Sequence, residues 1–209
     1  MKIIAINGAS ASGKTTLAKS LCETLNQKSE SHVAQLLSQD SYYLPHPDLS
    51  VDERALLNFD HPDAFDWPLL IEQLKQLKNG HNIEVPDYCF FSHNRTSKKT
   101  LLKPSDILII EGLHLLNDKA LASVFDYSIY LDTPVDLCLA RRLLRDTQER
   151  GRSSDAVIEQ YLATVRPMYL QFIAPSREDA DLVLSGDIDE LTLLRDSDLQ
   201  LKNAGIISA

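Results

Sequence analysis

Ile3-Ile4-Ala5-Ile6 opens the chain as a short apolar run that stops at a glycine-rich turn, Gly8 to Thr15. A run without polar alternation is what a strand covered on both faces of a parallel sheet requires. Lys2 to Asn7 is therefore expected as a buried strand, and Lys14 to about Gln27 as an amphipathic helix. His32–Leu37, Ile107–Ile110, Tyr127–Leu131 and Asp181–Leu184 repeat the strand pattern. Pro68–Lys78 (ended by Asn79-Gly80), Pro134 to about Glu149, Ser154–Phe172 and Leu191–Lys202 repeat the helical one. Asp40 to Asp66 carries Pro45, Pro47 and Pro62, and reads as loop with a short helix near Val51–Leu57. β-prone pieces at Ile83–Val85, Tyr88–Phe91 and Thr100–Leu102 flank a polar turn, Ser92–Lys99, and predict an inserted antiparallel hairpin. A polar hinge, Arg150 to Ser153, separates the two helices that follow Leu131.

Strands alternating with helices imply right-handed crossovers and a mainly parallel α/β sheet, with ligands at the carboxyl ends of its strands. A length of 209 residues suits one such domain, 1–209, with the hairpin at about 83–102 and the polar hinge region at about 145–155. With 44% hydrophobic and 24% charged residues the composition is that of an ordinary soluble protein. The net charge of −9 argues against nucleic acid as a main partner, because an acidic chain gains nothing from counterion release. Cys22, Cys89 and Cys138 are odd in number, widely spaced and free of any CxxC, so neither a disulfide framework nor structural zinc is expected. The N-terminal run lacks a cleavage site and is far too short to span a membrane. The expected location is cytoplasmic, with no membrane partner.

Gly8-Ala9-Ser10-Ala11-Ser12-Gly13-Lys14-Thr15 fits GxxxxGK[ST] at every fixed position, directly after a strand and at the start of a helix. Amides of such a loop converge on phosphate oxygens, helped by the positive helix end. Lys14 can reach the β- and γ-phosphates, and the Thr15 hydroxyl can ligate Mg²⁺. Neither DxxG nor NKxD follows, which argues against a GTPase. Glu111, at the end of the Ile107–Ile110 strand, stands where an acid contacts Mg²⁺; a helix-capping role is the plainer alternative. Asp40, after the second strand, emerges at the same sheet edge and is the best candidate base for a hydroxyl acceptor, although alone it reads equally as a cap or turn residue. Asn58 to Asp66 packs acids, His61 and two aromatics, which suits sugar hydroxyls and a base; Asp63 or Asp66 capping the next helix is the alternative there. Arg141, Arg142, Arg145, Arg150 and Arg152 fall within twelve residues of an acidic chain. Guanidinium forks suit a transferring phosphoryl group, and a loop carrying them looks like a lid.

GASASGKTT, QDSYY, NFDHPDAFD, YCFFSHNR, IIEGL, RRLLRDTQERGR and QYLATVRPMYLQFIAPSREDADLVL, in this order and spacing, resemble the uridine kinase (uridine–cytidine kinase) family over about residues 3 to 184. The resemblance implies a P-loop NTPase three-layer sandwich with an inserted hairpin and a helical lid. It implies transfer of the γ-phosphate of ATP (or GTP) to the 5′-hydroxyl of uridine, with cytidine as a second acceptor, in pyrimidine salvage. Gly8, Ser10, Ser12, Gly13, Lys14, Thr15, Thr16 and Arg150 would hold the nucleotide, and Thr15, Asp40 and Glu111 would surround Mg²⁺. Asp40 would be the general base, with Lys14 and Arg145 as the catalytic cations. Asp60 and Arg142 would bind the ribose 2′- and 3′-hydroxyls. Phe59, Tyr88 and His93 would line the base pocket, with Arg152 and Gln160 also near the nucleoside. The family also implies a homotetramer. Two departures stand out: Cys89 where the family has aspartate, and an acidic Ser185-Gly186-Asp187-Ile188-Asp189-Glu190 after the last strand. Two rivals are a related small-molecule kinase of the phosphoribulokinase or pantothenate kinase kind, and a non-catalytic nucleotide-binding regulator. A regulator would be expected to have lost the base or the lysine, and Asp40 and Lys14 are both present.

Overall fold

The computed structural model describes residues 1–27 and 33–207. A five-stranded parallel sheet forms its centre, in the order β2-β5-β1-β6-β7, from β1 (Lys2–Gly8), β2 (Ala34–Ser38), β5 (Ile107–Gly112), β6 (Tyr127–Asp132) and β7 (Leu182–Ser185). Helices α1 (Lys14–Gln27), α2 (Val51–Ala55), α3 (Trp67–Lys78), α4 (Lys119–Ala122), α5 (Val135–Gln148), α6 (Ser154–Gln160), α7 (Arg166–Met168) and α8 (Glu190–Asn203) complete the α/β layering with the separate hairpin β3 (Ile83–Cys89) and β4 (Asn94–Leu102). Among the described residues no helix is long and apolar enough to cross a membrane.

Burial on both faces explains why β1 and β5 are apolar along their interiors. Ile3 and Ala5 of β1, with Leu108 and Ile110 of β5, face one core closed by Leu70, Leu74 and Leu77 of α3. Ile4 and Ile6, with Ile107 and Ile109, face the opposite core closed by Leu17 and Leu21 of α1 and Leu193 and Leu201 of α8. Each fully buried aliphatic of this kind contributes about 1.5–3 kcal/mol. A strand covered on both faces can spare no polar position until its end, and the polar residues duly appear there: Asn7, Ser38 and Glu111.

Two expectations need correction, and part of a third lies outside the described residues. The polar stretch Asn94–Lys99 is strand rather than turn; the hairpin reverses at Phe90 to His93, with Cys89 opposite Asn94. β3 buries Ile83 and Val85 in the core, but β4 has no buried position and so carries no apolar signature. The helix expected over Ser154–Phe172 is helical along its length but contains two π-turns, Tyr161–Val165 and Tyr169–Ile173. The start of the second strand at His32 lies outside the described residues, and β2 begins at Ala34.

His114 fastens the exit of β5 to the loop carrying Asp60. It is fully buried, with Nε2 2.9 Å from the Asp60 carbonyl and Nδ1 2.8 Å from the Asn117 amide. Burial pushes its pKa down to about 4, against an ordinary value of 6.5. The unfolded chain therefore binds the proton first as pH falls. Stability is full above about pH 6.5 and declines toward pH 4, by about 3 kcal/mol from this group. His114→Gln should flatten that part of the profile, read from denaturant melts at pH 7 and pH 5; an unchanged slope would exclude this cause.

Candidate active site

The phosphate loop runs from the end of β1 into α1. Gly13 sits at φ +103°, and a Cβ at Gly8 would lie 2.8 Å from the Leu131 carbonyl, so both glycines are required by geometry. The loop is tied from behind: Thr133 donates to the Ser12 carbonyl at 2.8 Å, and Arg141 donates to the carbonyls of Ser12 and Gly186 at 3.2 Å each. Buried Lys14 reaches the Ala9 carbonyl at 3.4 Å, and the Ser12 hydroxyl is buried without a hydrogen-bond partner. Donors of this kind, at the start of a 14-residue helix, favour an anion. Ser10 lies in the same loop, and Thr15 and Thr16 stand exposed on the first turn of α1. An open groove of about 580 Å³ continues from Ser12, Gly13 and Thr16 past Arg141 to Gly186, Ile188 and Glu190.

On the other side of β5, Asp40 sits in a short 3-10 turn (Gln39–Tyr42) directly after β2, its amide capped by Ser38. The Ser38 hydroxyl also donates to the Glu111 carboxylate at 2.6 Å, so one residue fixes both acids. Burial, then repulsion from Glu111, push the Asp40 carboxyl up to about 6, against the pull of Lys14, Arg150 and Arg145. Asp40, Glu111 and Lys14 thus share one electrostatic site. Two repelling carboxylates form a hard-oxygen donor pair, which fits a Mg²⁺ ion that keeps waters and takes phosphate oxygens. Among the described residues no group of three or more metal-binding side chains supplies a complete cage.

Asp60 and Arg142 are buried together beside the loop, at 7% and 6% exposure. Arg142 donates to the Ser10 hydroxyl at 2.8 Å and to Gln160 at 2.9 Å, and Arg152 also donates to Gln160. Thr164 donates to Asp60 at 3.2 Å from the first π-turn. Burial raises the Asp60 pKa, with Arg142 the main force opposing it. Phe59 and His93 stack at 5.5 Å, and Tyr88 packs on Tyr43 at 4.8 Å, forming an aromatic wall next to these polar groups. Asp66 takes the plainer role, capping α3 through Leu69 and pairing with Arg95 at 3.1 Å.

The sequence reading missed three residues of this region. Thr164 is ordinary on a helix, and its only signal was standing one turn beyond Gln160. Tyr43 lies in the QDSYY segment and stacks on Phe65 at 4.3 Å. Asp146, not singled out in the sequence, is fully buried, with Arg145 at 2.8 Å, Arg142 and Arg152 at 3.6 Å and Arg150 at 3.7 Å.

A family model, Phosphoribulokinase / Uridine kinase family, matches residues 3–191. The chain belongs to this family. Two curated relatives named "Uridine kinase", from Vibrio atlanticus and Staphylococcus aureus, are 45% and 50% identical over 182 residues. These matches cover 87% of this chain and 85% and 86% of the relatives. Among solved structures, one described as a possible uridine kinase from Bacillus stearothermophilus is 26% identical, with TM-score 0.52 and 88% of each chain covered. Phosphoribulokinase from Rhodobacter spheroides shares the fold at 18% identity and TM-score 0.67, covering 88% of this chain and 69% of its own. Membership in the phosphoribulokinase/uridine kinase family agrees with the P-loop kinase architecture described above.

One carboxylate within 4 Å of four guanidiniums sets a stability expectation. Asp146→Asn leaves buried Arg142 and three half-buried arginines without their counter-ion and should destabilise the fold by about 3 kcal/mol. Added sulfate should restore part of that loss, and more than it stabilises the wild type, in denaturant melts. Equal responses to sulfate would exclude Asp146 as the counter-ion.

Proposed function

We propose that the chain is an ATP-dependent uridine kinase that phosphorylates the 5′-hydroxyl of uridine, and of cytidine, in the cytoplasm. One observation carries the reading: a buried acid–arginine pair, Asp60 and Arg142, hydrogen-bonded through Ser10 to the phosphate loop and bordered by stacked aromatic rings. Vicinal hydroxyls need an acceptor and a donor fixed side by side, and a pyrimidine needs an aromatic wall; both stand within reach of one phosphate cradle. The names of the relatives support the same acceptor.

In this reading Gly8, Ser10, Ser12, Gly13, Lys14 and Thr16 hold the triphosphate, with its base directed along the groove past Arg141. Asp60 accepts from the ribose hydroxyls and Arg142 donates to them, while Phe59, Tyr88 and His93 enclose the base beside Arg152 and Gln160. Asp40 takes the proton of the 5′-hydroxyl as its oxygen bonds to the γ-phosphorus and the bond to the ADP oxygen breaks. Lys14, Arg145 and Arg150 meet the charge spread over the transferring group. Thr15, Asp40 and Glu111 would hold Mg²⁺, which supplies neutralisation of phosphate charge when bound. Assembly as a homotetramer belongs to the same proposal and is read from the mass in solution.

Asp40→Asn should lower turnover by about a thousandfold or more while leaving MgATP affinity within a few-fold, measured by product formation and by titration. A substantial residual rate would reject the base assignment. 2′-Deoxyuridine should fall at least about 100-fold below uridine in kcat/KM, because Asp60 and Arg142 lose a partner while buried. Phe59→Ala should raise the KM for uridine; if it leaves KM unchanged, an acceptor without a base becomes the better reading.

A further inference from the structure

Two separate elements meet over the candidate site at one contact. The guanidinium of Arg150, in the loop between α5 and α6, lies 4.4 Å from the centroid of the Phe90 ring at the tip of the β3–β4 hairpin. Phe90 in turn packs edge-to-face on Tyr88 at 5.3 Å. Arg150 has little else to hold it. Its nearest acid, Asp146, is 3.7 Å away, beyond hydrogen-bond range, and among the described residues no hydrogen bond fixes its guanidinium. The chain turns immediately after it at Gly151, φ +64°. The hairpin is anchored independently on the acceptor side, where Arg54 donates to the Ser92 carbonyl at 2.8 Å and Arg95 to the Tyr42 carbonyl at 3.2 Å. Phe90 is 39% exposed, so its position is not explained by core packing.

We infer that Phe90 is a positioning residue: by stacking on Arg150 it couples nucleoside occupancy of the hairpin wall to the phosphate-facing set of the arginine loop. The inference rests on the nucleoside kinase reading. A base settling against Tyr88 fixes the ring of Phe90, and the ring's negative face holds the guanidinium where phosphate needs it. Binding on one side then strengthens binding on the other, and by linkage the reverse holds equally. An exposed cation–π contact limits the effect to about 2- to 5-fold.

The test is the affinity for Mg²⁺ with the β,γ-imido analogue of ATP, with and without saturating uridine, in wild type, Phe90→Leu and Phe90→Tyr. Wild type should bind the analogue more tightly when uridine is present. Phe90→Leu should reduce that enhancement by about 2- to 5-fold, toward none, with its uridine-free affinity and melting temperature near wild type. Phe90→Tyr, which keeps the aromatic face, should retain the enhancement. Wild-type coupling in Phe90→Leu, or no coupling in a wild type that phosphorylates uridine, overturns the inference and leaves the function standing. A wild type that does not bind uridine overturns both.

Discussion

The site depends on the crowding of charge at one sheet edge. β5 lies between β1 and β2, so the strand order places Glu111 between the phosphate loop and Asp40. Two carboxylates on this edge repel, and burial alone would drive Asp40 toward its neutral form. Lys14 and the arginines of the α5–α6 region lower that cost from opposite sides. A fold that disposes acids and cations this way suits a polyanion that can engage the cations. That fit, more than any single residue, is what makes the arrangement a phosphoryl-transfer site.

The same logic governs the arginine cluster. Guanidiniums gathered this closely repel one another, and Arg142 and Arg150 both have their pKa depressed by burial. Asp146 answers this with one fully buried carboxylate. Only Arg145 engages it by hydrogen bonds; Arg142, Arg150 and Arg152 stand at 3.6–3.7 Å. One oxygen of Asp146 and the Nε of Arg142 are left buried without a hydrogen bond. A counter-ion this loosely bonded restrains the arginines without satisfying them, which leaves them free to exchange it for a ligand.

How much of this was legible in the sequence depended on whether a residue's task leaves a unique mark. The phosphate loop was readable because Gly8, Gly13, Lys14 and Thr15 each answer a different steric or chemical demand at fixed spacing. The strands were readable because burial on both faces excludes polar residues. The hairpin tip was misplaced because Asn94–Lys99 has no buried position and no apolar pattern to set its register. Asp146 was unreadable as a hub, since an acid among arginines on a solvent-exposed helix has the same spelling. Thr164 reaches Asp60 from a π-turn, and the extra residue of such a turn shifts side chains off the 3.6-residue pattern that sequence reading relies on.

The π-turns and the hairpin show how a rigid sheet is adapted to one acceptor. The sheet edge fixes the phosphate loop, Asp40 and Glu111, none of which distinguishes one alcohol from another. In the proposed reading, selectivity comes from elements outside the sheet: the loop bearing Phe59 and Asp60, the hairpin bearing Tyr88 and His93, and the helix after Ser154 bearing Gln160 and Thr164. His114 joins the first of these to the exit of β5 through the Asp60 carbonyl, and Asn7 joins the end of β1 to Ser176, just beyond the last. The proposed acceptor pocket is therefore held to the phosphate loop in part by buried hydrogen bonds whose loss would leave polar groups unpaired. A change of acceptor would require altering the outer elements while keeping these bonds, which is the physical reason one fold can serve kinases of different substrates.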